Sequence, residues 1–128
     1  MQKYIESKFV DAFPQLFQDM YGDPKITCMA FGCDHGDGWE GLLWKLCEDI
    51  QHQLNKYPEP NFKFTQVKQK LGCLTVYHTN SENDTIYELI DAASEESTTI
   101  CEQCGSVDMV VMSEQGYITP LCKHCRSL

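Results

Sequence analysis

Eight cysteines and four histidines are the residues of this chain best suited to chemistry, and four of the cysteines have a spacing with a definite meaning. Cys101-Glu102-Gln103-Cys104-Gly105 and Cys122-Lys123-His124-Cys125 are two CxxC pairs, separated by residues 105 to 121. Thiolates paired at this separation bind one tetrahedral ion, and zinc is the metal that such a site takes. Two cysteines three apart chelate when a tight turn aims amides at their sulfurs, and Gly105 permits the positive φ of that turn. Four cysteines complete the tetrahedron, so the expected Zn2+ is structural and leaves no position open for water. His124 stands between two better ligands and is expected at the surface. The stretch between the pairs reads as a hairpin: Val107 to Met112, a turn at Ser113-Glu114-Gln115-Gly116, and a return along Tyr117-Ile118-Thr119. Pro120 is expected to stop the pairing ahead of the second pair.

The other candidates for chemistry are weaker. Cys28, Cys33, Asp34, His35 and Asp37 form a polar, sulfur-rich patch to which Cys47 or His52 could be added as metal ligands. That spacing matches no standard site, and Cys28 and Cys47 fall on expected core faces, where cysteine serves as a small hydrophobe. Cys33 and His35 as nucleophile and base are only two residues apart, with no oxyanion donor or orienting group in view. Gly36-Asp37-Gly38-Trp39 lacks the Lys-Ser or Lys-Thr of a phosphate loop, and Asp37 would repel a phosphate. It reads instead as a tight turn and helix cap, with Trp39 anchoring the core. No catalytic residue is assigned, and the chain is not expected to be an enzyme; a hydrolase or nuclease centred on Cys33 to Asp37 is the third reading.

A formal charge of −9 disfavours general attraction to nucleic acid or anionic membranes, and four zinc-bound thiolates would add about two negative charges. A DNA-like surface, or a basic protein partner, fits that charge better. The one basic island is Lys63, Lys68 and Lys70, within Asn61 to Ser81, where no acidic residue occurs and Phe62, Phe64, Tyr77 and His78 lie nearby. Lysines among aromatics can bind single strands by charge and stacking. The blander reading is that these aromatics are core and the lysines keep a strand edge soluble.

Several elements must position these groups. A first helix is expected from Asp11 as cap through Leu16, Phe17 and Met20, broken at Tyr21-Gly22-Asp23-Pro24. Ile26 to Phe31 reads as a buried strand. Asp37 caps a helix whose apolar stripe is Trp39, Leu42, Leu43, Leu46, Cys47, Ile50 and Leu54, ended by Pro58 and Pro60. Residues 62–71 are ambiguous between strand and short helix. The helix is preferred, because Phe64, Val67 and Leu71 share a helical face with Gly72 at C′. Leu74 to His78 is a strand. A last helix runs from Asn83 or Asp84 to Ser97, with Ile86, Leu89, Ile90 and Ala93 inward and Asp84, Glu88, Asp91 and Glu95 along the opposite side. A charged face of this kind is ordinarily just solvated; as a contact surface it would meet a cationic partner.

The expected architecture is α+β: a body over residues 1–98 with helices on a small sheet, and a zinc ribbon over 99–128 docked on it as one compact unit. The N-terminus lacks the pattern of a secretory signal, and no apolar stretch approaches the ~20 residues that span a bilayer. The cysteines therefore read as metal ligands or reduced thiols of a cytoplasmic protein, not as a disulfide framework.

Gly36-Asp37-Gly38-Trp39, Gln66-Val67-Lys68-Gln69-Lys70-Leu71-Gly72 leading into Leu74 to Tyr77, Ala92-Ala93-Ser94-Glu95-Glu96-Ser97 and the Cys101-x-x-Cys104-Gly105 knuckle together resemble small uncharacterised proteins of bacteriophages and prophages. The resemblance runs from about Phe31 onward; Leu71 in place of an aromatic and the Cys33-Asp34-His35 lead depart from it. It implies a fold and a phage genomic setting, hence the host cytoplasm, and no activity. The expected function is a noncatalytic interaction protein that binds and modulates a host protein, with inhibition of a defence or transcription factor the expected form. The alternative is a zinc-ribbon nucleic-acid-binding regulator using Lys63, Lys68 and Lys70.

Overall fold

Ile5 and Phe9 are one helical turn apart, and Phe13 follows at the same interval, so the first residues of the chain already carry an amphipathic stripe. In the computed structural model, which describes residues 1–113, 116 and 118–128, that stripe forms α1 (Lys3–Ala12). The expected helix from Asp11 to Met20 is therefore displaced toward the N-terminus. Asp11 lies in the last turn of α1 and caps nothing, and the chain leaves the helix at Phe13, where Pro14 disfavours further helical backbone. Leu16 and Phe17 are buried from the turns that follow. Phe9 and Phe13 meet Trp44 edge-on at 5.1 and 4.9 Å between ring centroids.

Residues 26–31 do not form the expected strand. Thr27 accepts a hydrogen bond from the Met29 amide at 3.1 Å and starts a single 3-10 turn, Cys28–Phe31. Only Met29 points inward, and Cys28, expected in the core, is exposed. A hydroxyl that competes for the backbone outweighs the β preference of a short apolar run. Cys47 is fully buried, as expected.

A second 3-10 turn, Asp37–Trp39, leads into α2 (Glu40–Lys56). Asp37 does not cap α2. Its carboxylate instead accepts the Gln2 amide at 2.9 Å and the Gln2 side chain at 2.6 Å, tying α1 to this turn. Leu43, Leu46, Cys47, Ile50 and Leu54 form the buried stripe of α2.

Residues 62–71 are the largest correction. Phe64–Lys70 is a strand, β2, and it pairs antiparallel with β3 (Cys73–His78) through the turn at Leu71 and Gly72. Both turn residues have positive φ, 52° and 87°, which is the geometry of a two-residue hairpin. Phe64 and Val67 share a face because the register shifts between Phe64 and Gln66, so that Thr65 is an extra residue on β2. The bulge imitates helical spacing. On the other side, β1 (Cys33–Asp34) runs parallel to β2, with Cys33 opposite Val67. The sheet order is β1-β2-β3, with α2 as the crossover between parallel neighbours.

α3 (Asp84–Ser97) starts at an Asn83 cap whose side chain accepts the Thr85 amide at 3.0 Å. It lies beside β3, and the Ser97 hydroxyl accepts the Leu74 amide at 2.9 Å, which protects part of the free sheet edge. The C-terminal hairpin pairs β4 (Val111–Ser113) with β5 (Thr119–Leu121), followed by the short α4 (Lys123–Arg126). It is shorter than expected: Val107 to Val110 are irregular, and Ser113 belongs to a strand. Of the expected turn and return, Glu114, Gln115 and Tyr117 lie outside the described residues. Pro120 does not stop the pairing. It sits in β5 opposite Met112, buried, with its carbonyl accepting the Glu102 amide at 2.9 Å. The whole is an α+β fold with four cysteines gathered near its C-terminus.

Candidate metal centre

In the first CxxC pair amides of the turn, and in the second an amide in the first turn of α4, are free to bond sulfur. In the first, the Gly105 amide closes the turn on the Cys101 carbonyl at 2.9 Å, and Gly105 has the expected positive φ of 84°. In the second, Cys122 caps α4, its sulfur accepting the Cys125 amide at 3.4 Å. The hairpin brings the turns together. The sulfurs of Cys101, Cys104, Cys122 and Cys125 all lie within 4.8 Å of one another, and those of Cys104 and Cys122 are 3.6 Å apart. Metal–sulfur bonds of about 2.3 Å at tetrahedral angles place sulfurs about 3.8 Å apart, so the set fits one ion. All eight cysteines are free thiols.

Burial opposes ionisation of Cys101, but the amides of Cys122, Cys104 and Gln103 outweigh it and bring the thiol down to about 6. The Cys125 amide likewise lowers Cys122. Cys104 is raised despite the pull of the Ser106 amide, through burial and the neighbouring Cys122 thiol. Burial raises Cys125, and the other three sulfurs add to it. One member of each pair is thus prepared to be an anion by backbone dipoles, and a cation would supply the rest. His124 is exposed, as expected.

The first knuckle does not hang free. The Gly36-Asp37-Gly38-Trp39 turn forms a seat for it. The Gly38 amide donates to the Glu102 carbonyl at 2.7 Å, and the Gly36 amide to the Glu102 carboxylate at 2.8 Å. A Cβ on Gly38 would stand 2.1 Å from the Cys101 carbonyl oxygen, and one on Gly36 2.3 Å from that of Glu102. Trp39, fully buried, donates its indole N–H to the Ile100 carbonyl at 3.0 Å. From β2, the Gln69 amide nitrogen donates to Glu102 Oε1 at 3.1 Å and to the Ile118 carbonyl at 2.7 Å. Sequence reasoning gave the turn to α2 as a cap and missed Glu102 and Gln69. The available signal was the pair of glycines flanking one acid, a pattern that lets another backbone approach closely.

The patch around Cys33 is organised differently. Cys33 and His35 are both buried. Burial, reinforced by the nearby Glu6 carboxylate, pushes the Cys33 thiol up to about 12, and burial brings His35 down to about 4. A thiol kept protonated beside a neutral imidazole is the reverse of an activated ion pair. His35 Nδ1 donates to the Gly36 carbonyl at 2.8 Å, while its buried Nε2 has no partner among the described residues. Among the described residues, the C-terminal cysteines are the one group of three or more potential ligands that converges.

The lysine island is divided. Lys63 forms an ion pair with Asp19 at 2.8 Å, whereas Lys68 and Lys70 stand on the outward face of the sheet with Thr75 and Tyr77. Lys70 reaches the Tyr77 hydroxyl at 3.4 Å. Asp84, Glu88, Asp91 and Glu95 are all exposed on α3, and none forms an ion pair within the described residues.

No family model matches the chain, and neither a curated protein nor a solved structure is found to be similar to it. Among the described residues, no helix is long and apolar enough to cross a membrane.

Proposed function

We propose that the chain is a noncatalytic interaction protein in which one zinc ion, held by Cys101, Cys104, Cys122 and Cys125, has a structural role. Four thiolates saturate the ion, so no position is left for substrate or water. The binding surface is the outer face of α3, and the observation that carries this reading is its row of four exposed, unpaired carboxylates. They sit on a helix fixed at one end by the Asn83 cap and at the other by the Ser97–Leu74 bond. Solvated acids at helical spacing weaken a helix slightly, so a cationic partner surface would relieve them. By analogy with small phage proteins, the partner proposed is a host protein of the defence or transcription machinery and the effect proposed is inhibition.

The test is affinity capture from bacterial lysate, with and without nuclease, using the protein and an Asp91→Lys, Glu95→Lys variant. A stoichiometric protein that survives nuclease and is lost from the folded variant supports the assignment; equal retention by the variant overturns it. The outward face bearing Lys68, Lys70 and Tyr77 favours a second reading, binding of single-stranded nucleic acid. That reading predicts retention that nuclease abolishes and that weakens steeply with salt, by about one unit of log–log slope per phosphate contact.

A further inference from the structure

The two knuckles hold their thiols at identical spacing, but the residues between the thiols have different fates. Gln103, Lys123 and His124 are exposed, whereas Glu102 is buried. The four polar atoms of Glu102 are engaged with three other segments. Oε2 accepts from Gly36 in the turn before α2, Oε1 from Gln69 in β2, the carbonyl from Gly38, and the amide donates to Pro120 in β5. No cation offsets its charge among the described residues: its partners are all amides. With its carboxylate committed to amides of two other elements, geometry is what Glu102 contributes to the knuckle.

We propose that Glu102 is the positioning residue of the metal centre. It fixes the peptide that follows Cys101, and so sets the direction of the Cys101 sulfur and of the Gln103 and Cys104 amides that bond it. The body of the protein, through Gly36, Gly38 and Gln69, thereby raises the metal affinity of a site to which it gives no ligand. Outer-shell groups that orient ligands commonly change metal affinity by about 10- to 100-fold. This inference rests on the zinc reading above.

The experiment is competition of Zn2+ between a chromophoric chelator and the full chain, with Co2+ spectra to report the ligand set. Glu102→Ala should keep the tetrathiolate Co2+ spectrum yet lose affinity by about 10-fold or more. Gln69→Leu, which removes one partner and leaves the knuckle sequence intact, should lose several-fold. Lys123→Ala and His124→Ala, at the inner positions of the second knuckle, should match the unmodified protein. Thermal melts with and without metal separate positioning from general destabilisation, since Glu102→Ala should lower the Tm of the loaded form more than that of the metal-free form. Affinities of Glu102→Ala and Gln69→Leu within twofold of the parent, or equal losses of Tm in the two forms, would overturn the proposal. Failure of the parent to bind one zinc would instead remove the zinc reading itself.

Discussion

The first knuckle, Cys101 to Gly105, and the second, Cys122 to Cys125, present the same thiols at the same spacing, yet they are embedded in different surroundings. The first is pressed against the glycine turn before α2, with Glu102 bonded to three other segments. The second, among the described residues, is held from within the ribbon. Its bonds are from the Lys123 amide to the Asp108 carbonyl at 3.1 Å and from the Arg126 guanidinium to the carbonyls of Met109 and Leu121. A CxxC pair is thus a chelating unit whose support is decided elsewhere in the chain. One half of this centre belongs to the body and the other half to the hairpin.

Removing the metal should separate the halves most completely. In hydrogen exchange after chelation, the amides of β4, β5 and α4 are expected to lose all protection, while those of α2 and α3 retain theirs. Apparent zinc-binding energies of about 10–16 kcal/mol in zinc-finger peptides far exceed what the Glu102–Pro120 and Gln69–Ile118 bonds contribute to so short a hairpin. Simultaneous loss of protection in α2 would show that the body, too, depends on the ion.

Substitution at the seat comes next. Gly38→Ala drives a Cβ to 2.1 Å from the Cys101 carbonyl oxygen, which neither backbone can accommodate without moving apart. The expected destabilisation in a denaturant titration is about 3 kcal/mol. Gly41→Ala is the matched control, because that position is helical and open, with nothing within 4 Å. It should stabilise by up to about 1 kcal/mol. Equal effects at the two glycines would remove the seat from the description.

A pH dependence is also expected beside the seat. His35 is neutral in the fold, with a pKa lowered by burial from 6.5 to about 4. Between those values the unfolded chain takes up the proton and the folded chain does not. Stability is therefore full above pH 6.5 and falls as the pH drops toward 4, by at most about 3 kcal/mol. Asp34, Asp37 and the Met1 ammonium are the charged groups around it. His35→Gln should flatten this part of the stability–pH curve, measured in the metal-free protein so that acid release of the metal does not contribute; an unchanged slope would assign it to other groups.

The convergence of the four cysteines, α2, β3 and α3 were legible because each has a local cause: spacing, a stripe, alternation, a cap. The failures have local causes as well. Thr27 turned an apolar run into a 3-10 turn, and Pro14 set the end of a helix whose stripe begins at Ile5. The seat was illegible for a different reason. Its bonds join residues 36 and 38 to residue 102, and no window of sequence contains both sides.

The extra residue in β2 has a consequence for the parity of that strand. Before it, the even-numbered Phe62 and Phe64 point inward; after it, the odd-numbered Val67 and Gln69 do, opposite Val76 and Leu74. With strict alternation from Phe64 onward, the same string of residues would carry the ammonium groups of Lys68 and Lys70 into the interior. It would turn Gln69 away from Glu102. Burial of unpaired ammonium groups costs several kcal/mol each. The bulge therefore reconciles two parities within one strand, and a deletion of Thr65 would remove the need for it, leaving Phe64, Val67 and Gln69 inward by simple alternation.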